Sequence, residues 1–213
     1  MFTSPAIDYK TKKEEIWNAF THGVAFIASI PIAILIIIFT SQTGAAVETV
    51  AMSIYASAVM LLFGTSTLLH SVPVKWKHVC SIIDHSAIYV LIAGSYTPIL
   101  LLAVGTPFAH FLLATVWLLA VAGIVFKCFF VHRYETFSLI MYIAMGWLVL
   151  FVMKPLIAHI GWGGFSLLVA GGLFYTVGAI FYAWQKLPYN HAIWHVFVIF
   201  GCSCMTVCIF FFL

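Results

Sequence analysis

Long apolar stretches, separated by short polar or Gly/Pro-containing breaks, make up most of this chain. The stretches are apolar on all sides for about 20 residues or more at a time and show no alternation of period two, so they predict buried or lipid-facing α-helices rather than strands. Seven runs fall at 18–40, 47–70, 81–104, 108–130, 137–154, 163–184 and 190–212. Most are near the roughly 20 residues needed to cross a bilayer core. The breaks carry turn chemistry: Thr43-Gly44, Val72-Pro73, Gly105-Thr106-Pro107, His132-Arg133-Tyr134-Glu135, Gly161 to Gly164, and Pro188-Tyr189-Asn190. A transmembrane β-barrel is excluded, because its strands would need only about 10 residues each with strict alternation. The first run is too long for the apolar core of a signal peptide and no small-residue cleavage pattern follows, so the first span is expected to be kept.

Composition narrows the class. Of 213 residues, 64% are hydrophobic and only 7% charged, against roughly 25% charged in a soluble domain; mean hydropathy is +1.15. A soluble enzyme is excluded. The expected fold is all-α: a seven-transmembrane helix bundle at residues 16–213, preceded by a short polar segment at 1–15. The formal net charge of +3, without a run of Lys or Arg, leaves no footprint for nucleic acid. The five cysteines (Cys80, Cys128, Cys202, Cys204, Cys208) are odd in number and lie in or beside apolar runs, so they are read as reduced and mostly buried. Lys10, Lys12, Lys13, Lys75, Lys77, Lys127, Arg133 and Lys186 fall on one side, with Lys154 alone on the other. By the positive-inside rule the N-terminus is cytoplasmic and the C-terminus extracellular, in a multi-pass cell-membrane protein. Gly94, Gly171, Gly172 and Gly178 are read as close-packing positions between helices.

Polar groups inside a bilayer are costly, and the ones here gather at one depth. Ser66 and His70 stand one turn apart at the end of the second span, Asp84 lies near the start of the third, and His191 and His195 are an i, i+4 pair opening the seventh. Glu15, Asn18 and His22 add one face of the first span. Topology puts all of them in the inner leaflet. Two histidines one turn apart and a third from another helix can hold one metal ion and leave a fourth, open position, the catalytic pattern for zinc. His70, His191 and His195 fit as ligands; Asp84 would orient or deprotonate a water, and Ser66 would hydrogen-bond that water or a substrate oxygen. Glu15 could equally be solvated at the interface, the role of Asn18 stays open, and His22 enters only as a relay group with Asp84, His191 and His195 in the alternative below; His78, His110, His132 and His159, in or near loops, are assigned no role. Chained Asp and His groups also serve as proton or ion relays, so a pathway stays open as the alternative.

The segments Glu14-Glu15-Ile16-Trp17-Asn18 with Thr21-His22-Gly23, Ser66 to His70, Asp84 to Tyr89, Gly94-Ser95-Tyr96-Thr97-Pro98 and Pro188 to His195 resemble the bacterial hemolysin III family. That family belongs with the progestin and adiponectin receptors and, more distantly, the alkaline ceramidases. The resemblance covers all seven spans in order. It implies zinc on His70, His191 and His195, with Asp84 acting through water and Ser66 completing the motif. It further implies metal-dependent hydrolysis of amide or ester bonds of lipids, with a membrane lipid or fatty-acyl ligand. The hemolysin name implies lytic or pore-forming activity, while bacterial members are linked to membrane fatty-acid homeostasis. The sequence favours the latter, since helices apolar all round offer no amphipathic soluble form. Two hypotheses follow: a zinc-dependent hydrolase or a sensor derived from one, and a pore or ion pathway.

Overall fold

A computed structural model describes residues 11–213. Asp8 and Lys10, placed by the sequence in the N-terminal polar segment, lie outside the described residues. The first helix, α1 (Lys12–Thr43), starts ahead of position 18 because the sequence supplies a cap there. Glu14 N–H donates to Thr11 Oγ1 at 3.3 Å, and the Glu14 carboxylate accepts from Thr11 N–H at 2.9 Å, which satisfies two donors that a helix start leaves orphaned. Next come α2 (Ala46–Ser71) and α3 (Val74–Pro98). The third helix begins at Val74 rather than near 81, so Asp84 sits well inside it. A π-helical turn, Ile99–Val104, extends α3 beyond Pro98 and ends at Gly105 with φ +59°, a left-handed conformation that glycine adopts without a Cβ penalty.

Helix α4 (Pro107–Phe130) is capped by Thr106, whose hydroxyl accepts from Ala109 N–H at 3.1 Å, and has proline at its first position. Then follow α5 (Glu135–Gly146), a 3-10 stretch (Trp147–Val152), α6 (Met153–Ala183) and α7 (Asn190–Phe212). Among the described residues there are no strands, and six helical stretches are long and apolar enough to cross a membrane, Glu135–Ala183 counting as one of 49 residues.

That long stretch is not one rod. Gly161 has φ +65° and ψ 179°, outside any helical region. Trp147 Nε1–H donates to Thr176 Oγ1 at 3.1 Å, yet in an unbroken helix these residues would be about 43 Å apart. The chain therefore doubles back at Gly161. The two ends of the bundle give the same result. His78 and His132 rings lie 5.5 Å apart, so the end of α4 returns to the end where α3 begins. His70 at the end of α2 meets His191 at the start of α7. The segment between α4 and α7 thus begins and ends at the same end of the bundle.

The surface is apolar and the polar side chains are inside. Ile27, Leu118, Phe129 and Trp162 are each more than two-thirds exposed, as suits a lipid-facing wall, whereas Asn18, His22, Ser66, Asp84, Lys127, Asn190 and His195 are buried. Many hydroxyls within the helices donate back to the preceding turn, as Thr40 does to Ile36 O and Thr97 to Ala93 O, both at 2.9 Å, which keeps them satisfied away from water. Close packing at the predicted glycines is borne out. A Cβ on Gly94 would come within 2.8 Å of Ala58 Cβ, and one on Gly178 within 2.6 Å of Phe197 Cβ. All five cysteines are free; Cys80, Cys202 and Cys208 are buried, and Cys128 is exposed.

Candidate metal centre

Two helices deliver the three histidines. His70 rides the last turn of α2, while His191 and His195 occupy successive turns at the start of α7. One donor nitrogen from each lies within 4.8 Å of the others, close enough to hold a single metal ion. The Nε2 atoms of His70 and His191 are 3.2 Å apart.

The other ring nitrogens show which way the donors face. Nδ1 of His70 lies 3.2 Å from a Glu15 carboxylate oxygen. Nδ1 of His195 lies 3.1 Å from Asn18 O and 3.0 Å from Thr21 Oγ1. Carboxylate and carbonyl oxygens only accept, so both histidines carry their proton on Nδ1 and present a lone pair at Nε2. Two acceptor nitrogens brought into one cluster, with carboxylate and carbonyl behind them, are what a metal-binding imidazole set needs. The residues present fit a metal of zinc's type.

Helix α1 supplies this supporting layer through adjacent residues. Glu15 also pairs with Lys77, whose ammonium donates to Leu69 O at 2.7 Å. Glu14 Oε1 accepts from the Tyr189 N–H at 3.2 Å, fixing the turn that launches α7. Tyr189 itself holds φ +57°, an uncommon conformation for a non-glycine residue. His22 stacks flat on His195, ring centroids 3.5 Å apart at 14°. Among the described residues, neither ring nitrogen of His22 and neither amide atom of Asn18 has a hydrogen-bond partner.

Ser66 Oγ is 3.5 Å from His195 Nε2, and the Asp84 carboxyl lies beside Ser66. Both line a cavity of about 150 Å³ that also touches His191 and His195. From this polar end it runs past Leu91, Ile99, Phe165 and Leu168 to Met205, about 16 Å along α7 from Trp194.

The matching sequence family, described as haemolysin-III related, covers residues 10–206. The chain belongs to that family. Among haemolysin-III relatives, Hemolysin-3 of Bacillus cereus is 51% identical over 201 residues, spanning 94% of this chain and 92% of its own. The Hemolysin-3 homolog of Bacillus subtilis (strain 168) is 49% identical over 203 residues, 95% of each chain. The human monocyte to macrophage differentiation factor is 29% identical over 192 residues, 87% of this chain and 78% of its own. This haemolysin-III family member is a multipass membrane protein.

Its fold brings together every residue singled out from the sequence: Ser66, His70, Asp84, His191 and His195 share one end of the bundle. Glu15 and Asn18 turn out to be partners of two of the histidines. Thr21 was not anticipated as a site residue; its place on the helical face of Asn18, three residues on, is the signal that points to it. Lys127 was missed as well. The sequence reads it as one more surface cation, but it lines the cavity and is 1% exposed.

Proposed function

We propose that this protein is a seven-span, zinc-dependent hydrolase-like protein acting on, or sensing, acyl lipids from within the membrane. The reading rests on one observation: a group of three converging imidazoles, His70, His191 and His195, opens through the latter two onto a largely apolar cavity that Asp84 and Ser66 also line. The seven-span count is supported by the reversal at Gly161, which turns the 49-residue stretch into two passes. Lys12, Lys13, Lys75, Lys77, Lys127, Arg133 and Lys186 all lie at or near the histidine end, which favours a cytoplasmic placement for that end and an extracellular C-terminus.

In this reading His70, His191 and His195 hold zinc, whose chemistry when bound is Lewis acidity toward a carbonyl oxygen and toward water. Glu15 and the Asn18 carbonyl orient the histidines. Asp84 takes up a proton from water attacking an amide or ester carbonyl, and Ser66 hydrogen-bonds the carbonyl oxygen and steadies Asp84. The apolar shaft from Leu91 to Met205 takes the acyl chain, placing its head at the polar end. A pore is disfavoured by packing at the other end, where Leu156, Ile160, Cys208 and Ile209 are buried against one another; that core offers no polar path.

The test is elemental analysis of protein purified in detergent. About one zinc per chain is expected, abolished in His191→Ala and unchanged in His159→Ala. A chelator should lower the melting temperature of the wild type but not of His191→Ala, because a ligand that binds only the folded state stabilises it. Full zinc in a His191/His195 double alanine variant would sink the assignment. Release of free fatty acid from amide- or ester-linked lipids separates an enzyme from a sensor.

A further inference from the structure

A lysine near the end of a spanning helix ordinarily extends its ammonium toward water along its own aliphatic stem. Lys127, in the last turn of α4, does not: its side chain is 1% exposed and lines the cavity instead. Among the described residues it donates no hydrogen bond, and no carboxylate lies within 4.0 Å of it. Glu135 touches the same cavity without reaching that distance. Glu135 thus acts on it only at longer range, and a buried cation without a contacting carboxylate is costly unless another anion completes it.

A second donor lines the same cavity. His85, on the turn of α3 that carries Asp84, lines this cavity within electrostatic reach of Lys127, and its Nδ1 is buried without a hydrogen-bond partner among the described residues. An ammonium and an imidazole N–H can serve the two oxygens of one carboxylate. On its inner side the space beside these groups is the apolar shaft lined by Ile88, Leu91 and Leu168. The matching ligand is one that carries a single negative head and a hydrocarbon tail.

We propose that Lys127 and His85 form a binding site for the oxyanion head of a single-chain lipid, whose tail occupies the apolar shaft. This deepens the lipid part of the functional reading above and does not depend on the metal. The site recognises a free acyl acid, or an acyl phosphate ester of the same shape, by its charge. Its groups are distinct from the histidine triad, so the same end of the cavity would offer one set of residues to attack an acyl bond and another to hold a charged acyl product.

Equilibrium binding of tritiated palmitate to delipidated protein in a neutral maltoside detergent tests this, with hexadecanol, lysophosphatidate and acetate as competitors. Lys127→Met is expected to weaken palmitate binding by about 10- to 100-fold, the usual loss for a hydrogen bond to a charged group, while Lys127→Arg retains it. Hexadecanol and acetate should compete poorly. Competition by lysophosphatidate at lower concentration than unlabelled palmitate would assign the phosphate source, and the reverse order the carboxylate. Melting supplies a readout independent of the probe. Without lipid, Lys127→Met should melt above the wild type, having lost a buried charge that no carboxylate contacts, and palmitate should raise the melting temperature of the wild type alone. Equal palmitate affinity in Lys127→Met and wild type, or hexadecanol competing as well as palmitate, would overturn the site. Repeating the assay on His191→Ala separates the two proposals: palmitate binding that persists there and falls with Lys127→Met supports the anchor even if the metal assignment fails.

Discussion

Glu15 holds a histidine and a lysine at once, and its charge matters more than its shape. Glu15→Gln keeps an oxygen for the His70 N–H but removes the negative charge behind the ring, so zinc affinity should fall by about 10- to 100-fold. Metal competition with a calibrated chelator measures this, and an unchanged affinity would demote Glu15 to a purely structural contact. Asp84 predicts the opposite pattern. Asp84→Asn should leave zinc content near that of the wild type while lipid hydrolysis drops at least tenfold, about the low end of such effects; loss of all zinc with the fold intact would make Asp84 a ligand instead. At this scale the sequence was most informative where a residue had no innocuous place to be. A carboxylate and paired histidines inside apolar runs demand a reason, so Ser66, His70, Asp84, His191 and His195 were readable. Glu15 and Lys127 were not, because a charged residue close to a helix end has an ordinary explanation in solvent, and only tertiary packing shows that this water is absent.

Elements followed their local chemistry. Apolar runs located the helices, while their true starts depended on caps and on polar first turns: α1 begins behind the Thr11–Glu14 cap, and α3 takes in Lys75, Trp76, Lys77 and His78 before its apolar part. The π-helical turn after Pro98 and the 3-10 stretch at Trp147–Val152 left no mark in hydropathy, which does not register how tightly a helix is wound. The break near Gly161 was legible as a glycine cluster, but Gly163 and Gly164 remain helical and only Gly161 turns the chain. Its dihedrals lie in a region that is essentially glycine-only, and a Cβ there would meet no neighbour within 4 Å, so any penalty belongs to the backbone. Gly161→Ala should cost about 1–3 kcal/mol and lower the melting temperature by roughly 2–4 °C for each of them. Gly146→Ala, at a helical position that is equally open, should be neutral or stabilising by about 0.5–1 kcal/mol. Equal melting of the two variants would mean that the turn at Gly161 is not what reverses the chain.

For the whole molecule, the number of passes decides which compartment the cavity can draw water from. Single cysteines at Arg133 and His159, both exposed and near opposite ends of the α5–α6 segment's first pass, separate the possibilities in a background cleared of native cysteines. Seven spans predict that a membrane-impermeant thiol reagent labels the former only from the cytoplasmic side of oriented vesicles and the latter only from outside. Labelling of both from one side would remove the reversal from the membrane. The meeting of α1 and α7 carries a consequence for biogenesis. Glu14 secures the turn that launches α7, Glu15 and Asn18 back the histidines of α2 and α7, and His191 and His195 are made after every other helix has emerged. Until that last helix docks, the Asn18 carbonyl of α1 lacks the imidazole it backs, and α2 carries one of the three histidines while the other two are absent. Occupancy of the triad is therefore a built-in report that insertion has finished, and a chain halted before α7 would expose an unfilled polar seam by which quality-control proteases could distinguish it from the completed bundle.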